Sequence, residues 1–218
     1  MTYVRSTWLQ GSAWLVAVLP GLLAGCAAPT FSDLQSAKLA GRGRLEITPS
    51  YSSVSFVDQG ESEKVQDHYG MQLATGVADW VDLRFRYERI EFPEDGEGFN
   101  VVGFGPKVGI ATDRVALGVP IGFAFGDDIE VADTFQIHPT LLLTLPVEQV
   151  FELNASAKLL IPLSGEGQDV LEAINFGVGL SNDLRVWAFR PEVGFLFGLG
   201  DEGYHRHLSV GVTAYLGR

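Results

Sequence analysis

A two-residue period starts near Arg42, runs to the end of the chain, and constrains the fold more than any other feature. Over 115–126, Val115, Leu117, Val119, Ile121, Phe123 and Phe125 share one face. Ala116, Gly118, Pro120, Gly122, Ala124 and Gly126 share the other. Val81, Leu83, Phe85 and Tyr87 alternate in the same way with Asp82, Arg84, Arg86 and Glu88. Residues 151–163 and 187–199 repeat the pattern over longer stretches. Successive side chains of a strand point to opposite faces, so this period specifies strands with one apolar face. No helical repeat of useful length follows residue 41. The alternation predicts ten strands, near 43–56, 66–78, 80–92, 99–111, 115–126, 134–146, 150–163, 172–182, 185–199 and 206–216. Phase slips near Ser52–Ser53 and Glu88–Ile90 predict bulges.

The connections alternate too. Those around Asp79-Trp80, Thr112-Asp113-Arg114, Val147-Glu148-Gln149 and Asn182-Asp183-Leu184 are tight. Those at 57–68, 93–98, 127–133, 164–171 and 200–206 are longer and acidic. Short turns at one end and longer loops at the other are the pattern of an outer-membrane barrel. The expected fold is therefore all-β: an antiparallel up-and-down transmembrane β-barrel of about ten strands. A soluble lipocalin-like barrel is the alternative, with its apolar face turned inward around a ligand. The less apolar face decides between them. It is rich in glycine (Gly103, Gly105, Gly109, Gly118, Gly122, Gly177, Gly179, Gly194, Gly198, Gly211). Solvated strand faces carry Lys, Glu and Thr instead, whereas small residues suit the inside of a narrow barrel. Trp80, Phe151 and Trp187 fall at the tight-turn end, and Tyr69, Phe92, Phe99 and Phe135 near the loop end, as two interfacial girdles would.

The inward set is then charged. It holds Glu46, Asp82, Glu88, Glu152 and Glu192 against Arg84, Arg86, Lys107, Lys158 and Arg190. Buried ions need partners. A balanced set predicts a pairing network inside a lumen filled by side chains, because barrels near eight strands are filled and water-filled porins have about 16–18. A narrow ion path or proton relay through Arg84, Arg86 and Glu192 is the competing reading. His138, between Gln136 and Thr140, reads as a polar core residue.

The net charge of -12 concentrates in the long loops, where Lys64 and Arg206 are the bases. Such a mouth repels anions, and the acidity excludes a nucleic-acid partner. Asp127, Asp128 and Glu130 form the densest acidic cluster, a weak site for Ca²⁺ or Mg²⁺ shared with lipopolysaccharide phosphates. No other cofactor is expected. The one cysteine excludes an internal disulfide. Asp201, Glu202, His205 and His207 form the one catalytic-looking cluster, since a His beside carboxylates can act as a general base. It shares with omptin proteases and lipid A deacylases only the architecture of a rim site on a barrel, without their motifs.

Residues 1–25 read as an export signal. Arg5 supplies the positive start, and the apolar stretch from Trp14 to Leu23 is too short to span a bilayer. The stretch ends Leu23-Ala24-Gly25-Cys26, which resembles the lipobox of bacterial lipoproteins. That resemblance implies cleavage before Cys26, lipid on Cys26 and, with Ala27 following, transfer to the outer membrane. Residues 26–41 then read as a lipidated periplasmic tether, and 42–218 as the barrel. An even strand number brings both ends of the wall to the periplasmic side, where a lipid in the inner leaflet would start the chain. Over 42–218 the pattern resembles small bacterial outer-membrane barrels of the OmpA- and OmpX-like kind. Those barrels usually end in an aromatic residue read by the insertion machinery, whereas this chain ends Tyr215-Leu216-Gly217-Arg218.

The expected function is a non-enzymatic, monomeric outer-membrane barrel lipoprotein with a structural or surface-interaction role. Its expected partners are membrane lipids, lipopolysaccharide, and the barrel-insertion and lipoprotein-sorting machineries. A narrow cation-preferring channel, a rim hydrolase and a soluble lipocalin-like lipoprotein are the alternatives.

Overall fold

A computed structural model of the chain describes residues 31–93, 96–127, 129–164, 169–198 and 203–217. Twelve strand segments form one antiparallel sheet. In chain order they are β1 (Leu45–Asp58), β2 (Glu61–Ala78), β3 (Val81–Glu91), β4 (Gly98–Ala111), β5 (Val115–Gly118) and β6 (Ile121–Phe125). There follow β7 (Gln136–Ile137), β8 (Thr140–Pro146), β9 (Phe151–Pro162), β10 (Leu171–Leu180), β11 (Trp187–Gly198) and β12 (Tyr204–Leu216). Between β6 and β7 lies a 3₁₀ turn, Val131–Asp133.

β4 pairs with both β5 and β6, and β9 with both β7 and β8. Each couple is therefore one barrel strand interrupted once, and the wall has ten strands. β12 pairs with β1 from Leu45↔Leu216 to Val57↔Tyr204, which closes the sheet into a barrel. Proline causes both interruptions, because it cannot donate a ladder hydrogen bond. The breaks fall at Val119-Pro120 and His138-Pro139. Local bonds bridge them: Val119 N–H donates to the Pro106 carbonyl at 3.0 Å, and His138 N–H to the Pro120 carbonyl at 2.8 Å.

Two expectations need correction. The segment 57–68 is not a long loop. β1 and β2 continue through it and meet at Gln59-Gly60, whose φ values of 48° and 89° make a two-residue turn of the I′ kind. No slip occurs at Glu88–Ile90 either, since β3 stays in register with β4 from Val81 to Glu91. Ile90 is an apolar residue on an otherwise polar inward face. It packs with Val101, Ala124, Phe99 and Ile129 beneath the long connections. The bulge expected near Ser52–Ser53 lies at Val54/Ser55, and two more occur at Gly76/Ala78 and Gly109/Ala111.

The apolar face looks outward. Phe85, Phe104, Leu141, Leu145, Phe176 and Leu208 are all exposed, with Leu208 at 60%. A continuous belt of this kind is insoluble in water and at home in lipid. Among the described residues the inward face is mostly polar and charged, with small apolar clusters only near the loop end, so the soluble lipocalin-like alternative, which needs the apolar face inside and the polar face in water, fails. Trp80 and Trp187 are exposed at the tight-turn end, Tyr69 and Phe135 towards the loop end. The chain crosses a membrane with strands.

Candidate functional site

The distinctive site is the lumen. All ten expected inward charges lie there. Glu46, Asp82, Glu88, Lys107, Glu152, Lys158, Arg190 and Glu192 are buried, and the side chains of Arg84 and Arg86 nearly so. They do not only pair with one another. The segment 31–41, which the sequence presents as a tether outside the barrel, runs through its middle. Phe31, Ser32, Asp33, Leu34, Ser36, Ala37 and Ala40 are buried there.

Its course is fixed from one end to the other. At the loop end, Phe31 packs on Val54, Leu160, Ala173 and Leu196, near the upper ends of β1, β9, β10 and β11. The rings of His68, His205 and His207 surround it at 5.3, 5.8 and 6.2 Å. One step down, the Asp33 carboxylate meets Lys158 Nζ at 2.8 Å, Asn175 Nδ2 at 2.7 Å and the Ser156 hydroxyl. Glu192 accepts the Asp33 and Leu34 N–H groups at 2.7 and 2.8 Å. Lower still, Ala37 N–H donates to Thr144 Oγ1 at 2.7 Å. Lys107 Nζ donates to the Ser36 and Lys38 carbonyls at 2.7 and 2.6 Å. Lys38 Nζ reaches Glu152 at 2.8 Å. At the tight-turn end, Ala40 N–H donates to Asp82 at 2.8 Å, and Gly43 N–H to the Gly76 carbonyl at 3.1 Å. The segment is an extended plug, descending from loop end to turn end.

The wall also pairs with itself. Arg84 binds Glu46 at 2.9 Å, Arg190 binds Glu152 at 2.8 Å, and Arg86 binds Glu88. Arg86 further donates to the Ser32 carbonyl and hydroxyl. The expected network thus exists in part, but Asp82, Lys107, Lys158 and Glu192 serve the plug. The reason is the backbone of 31–41. Buried N–H and C=O groups outside a ladder must find partners, and inward side chains supply them.

Sequence reasoning missed the plug residues Asp33 and Lys38 and the wall residues Gln72, Thr144, Ser156 and Asn175 that hold the segment. A signal was present in the inward glycines. A Cβ on Gly109 would meet Leu39 Cδ1 at 3.1 Å, and one on Gly211 would meet Leu34 Cδ1 at 3.3 Å. On Gly76 it would meet the Gly41 carbonyl oxygen at 2.0 Å. These positions are empty because the plug fills them. Beside Leu34 and Glu192 the packing leaves a void of only about 10 Å³, marginal even for a single water. A much larger concavity, about 1000 Å³, lies on the outer face among Tyr51, Leu143, Phe176, Val193 and Val210, where lipid would lie.

The other candidates separate. His138 is buried in the wall and bonded to Gln136 at 2.9 Å. His207 is buried on Asn175 and Ser209, and the His205 ring lies tilted against Phe31 and Phe56, so the two histidines belong to the plug's upper seat rather than to a rim. Asp201 and Glu202 lie outside the described residues. So does Asp128 of the acidic cluster. Among the described residues, no three His, Cys, Asp or Glu side chains gather closely enough to hold a metal ion. The signal and Cys26 also lie outside the described residues.

By architecture the chain is an outer-membrane-type β-barrel. No family model and no curated protein matches it. Solved structures similar to it include small outer-membrane barrels. The attachment invasion locus protein Ail of Yersinia pestis is 12% identical, with 80% of this chain and 99% of that chain covered and a TM-score of 0.38. Neisserial surface protein A is 10% identical, covering 79% and 99%, at 0.36. The N-terminal barrel domain of Pseudomonas aeruginosa OprF is 13% identical, covering 79% and 98%, at 0.32.

Proposed function

We propose that this chain is a closed, non-enzymatic outer-membrane barrel lipoprotein, anchored through Cys26, whose loop end faces outward and serves a structural or surface-interaction role. The observation that carries the reading is the filled lumen. Backbone groups of 31–41 are held by buried side chains along the height of the wall, so the segment occupies the bore that a path would need. The outward apolar belt supports the membrane, and the lipobox-like Leu23-Ala24-Gly25-Cys26 supports the anchor. Short turns on the periplasmic side are the rule for such barrels, which supports the orientation. Lipid and lipopolysaccharide are the partners this surface fits.

The test is heat-modifiable migration of the membrane-extracted protein, followed by conductance in planar bilayers. The native protein should run as a compact band before heating and give no steady current steps. A chain lacking residues 31–40 that keeps the compact band should conduct. Steady steps from the native protein would establish the narrow-channel alternative instead. Lipid labelling lost in Cys26→Ala supports the anchor, and labelling retained in that variant refutes it.

A further inference from the structure

The direction of the plug has a topological result. β1 begins at the turn end, where Leu45 pairs with Leu216 and with Thr75 near the tight β2–β3 turn. Yet the chain before it has already crossed the barrel, because Ala40 sits by Asp82 at the turn end and Phe31 sits by Val54 and Leu196 at the loop end. We propose that the chain upstream of Phe31 emerges at the loop end, so that Cys26 and a lipid on it sit at the outer surface rather than in the inner leaflet. This rests on the orientation proposed above.

Two arguments carry it. The first is reach. Phe31 stands five positions after Cys26, and that stretch spans at most about 18 Å when fully extended. The apolar band of such a barrel is about 25 Å tall. Cys26 therefore cannot return to the turn end. The second is space. A return path inside would need a second extended strand in a lumen that the first one fills, with Phe31 sealed among Val54, Leu160, Ala173 and Leu196. A return path outside would lay backbone N–H and C=O groups unpaired against lipid.

The experiment uses three full-length chains, each with one short epitope. One epitope lies between Ala27 and Ala28, one after Asp169 in the connection to β10, and one after Gly217. Each chain must keep the heat-modifiable band. Antibody binding is read on intact cells and again after the outer membrane is opened. The expected result is that the first two epitopes are bound on intact cells and the third only after opening. An epitope at 169 bound on intact cells, with the one at 27 bound only after opening, overturns the inference and leaves the orientation standing. An epitope at 169 bound only after opening overturns the orientation, and the inference with it. A disulfide between Ala37→Cys and Thr144→Cys, made in a Cys26→Ala chain, checks the threading separately. Its absence after oxidation of folded protein would overturn the plug.

Discussion

Glu192 shows at the scale of one residue how the lumen is closed. Its two carboxylate oxygens accept the N–H groups of Asp33 and Leu34, which no strand partner serves. Glu192→Ala leaves both donors buried and unpaired, at about 1–3 kcal/mol each. The temperature at which the compact band converts to the heated form should fall, and Glu192→Gln, which keeps one acceptor oxygen, should recover part of the loss. Equal transition temperatures for the alanine variant and the native protein would falsify this seat. The ten inward charges were legible in the sequence because strand parity alone places them. Their partners were not. The plug carries Ser32, Asp33, Ser36 and Lys38 in no periodic order, as a solvated linker would, and besides the Asp33 and Lys38 ion pairs it is held through its backbone, which every residue shares. Gly194 shows the same limit. Its inward position follows from parity, but a Cβ there would lie 1.9 Å from Asn175 Oδ1 and 2.1 Å from His207 Nε2, contacts set by the register of the neighbouring strands β10 and β12.

Among the elements, strands were legible and the joints between plug and wall were not. Gly76 is such a joint. It interrupts the register of β2 and β3, and its carbonyl accepts Gly43 N–H at 3.1 Å. Gly76→Ala would drive a methyl into the Gly41 carbonyl, so hydrogen exchange at Gly43 and Ala40 should speed up while exchange in mid-strand β9 stays slow. The tight turns behave as local units. In the β10–β11 turn, hydrogen bonds from the Arg185 side chain, and then from its N–H at 2.9 Å, hold the Asp183 carboxyl down to about 2. A carboxyl whose pKa falls on folding stabilises above its ordinary value of 3.8, and that contribution is lost as pH drops through about 2. Because the pair is exposed, the effect on stability is small. An NMR titration of Asp183 should show the low midpoint, and Arg185→Ala should bring it back towards 3.8. The proline interruptions belong to this scale as well. Pro120 and Pro139 are plain in the sequence, but whether they end a strand or merely notch it depends on neighbours such as Pro106, whose carbonyl takes up the Val119 N–H.

For the whole molecule, charge is arranged in two layers. The wall set inside is balanced, Glu46, Asp82, Glu88, Glu152 and Glu192 against Arg84, Arg86, Lys107, Lys158 and Arg190, whereas the connections at the loop end hold the acidic excess. A chain lacking 31–40 should therefore prefer cations because of its mouth and not its bore. Reversal potentials across a salt gradient should show that preference shrink as ionic strength rises, since screening reaches exposed loops first. A preference that survives high salt would place the selectivity in the wall instead.

Passage of 31–41 through the ring also dictates an order of assembly. With a lipid on Cys26, as proposed, the segment carries bulk at both ends and cannot be slipped through a ring already shut, so on that proposal the β12–β1 seam closes around a segment that is already inside. A chain cut before Tyr204 lacks the strand that makes the seam, and its first residues should stay on the side from which it was delivered. On that proposal, export of the beginning of this protein and completion of its end are one interlocked event.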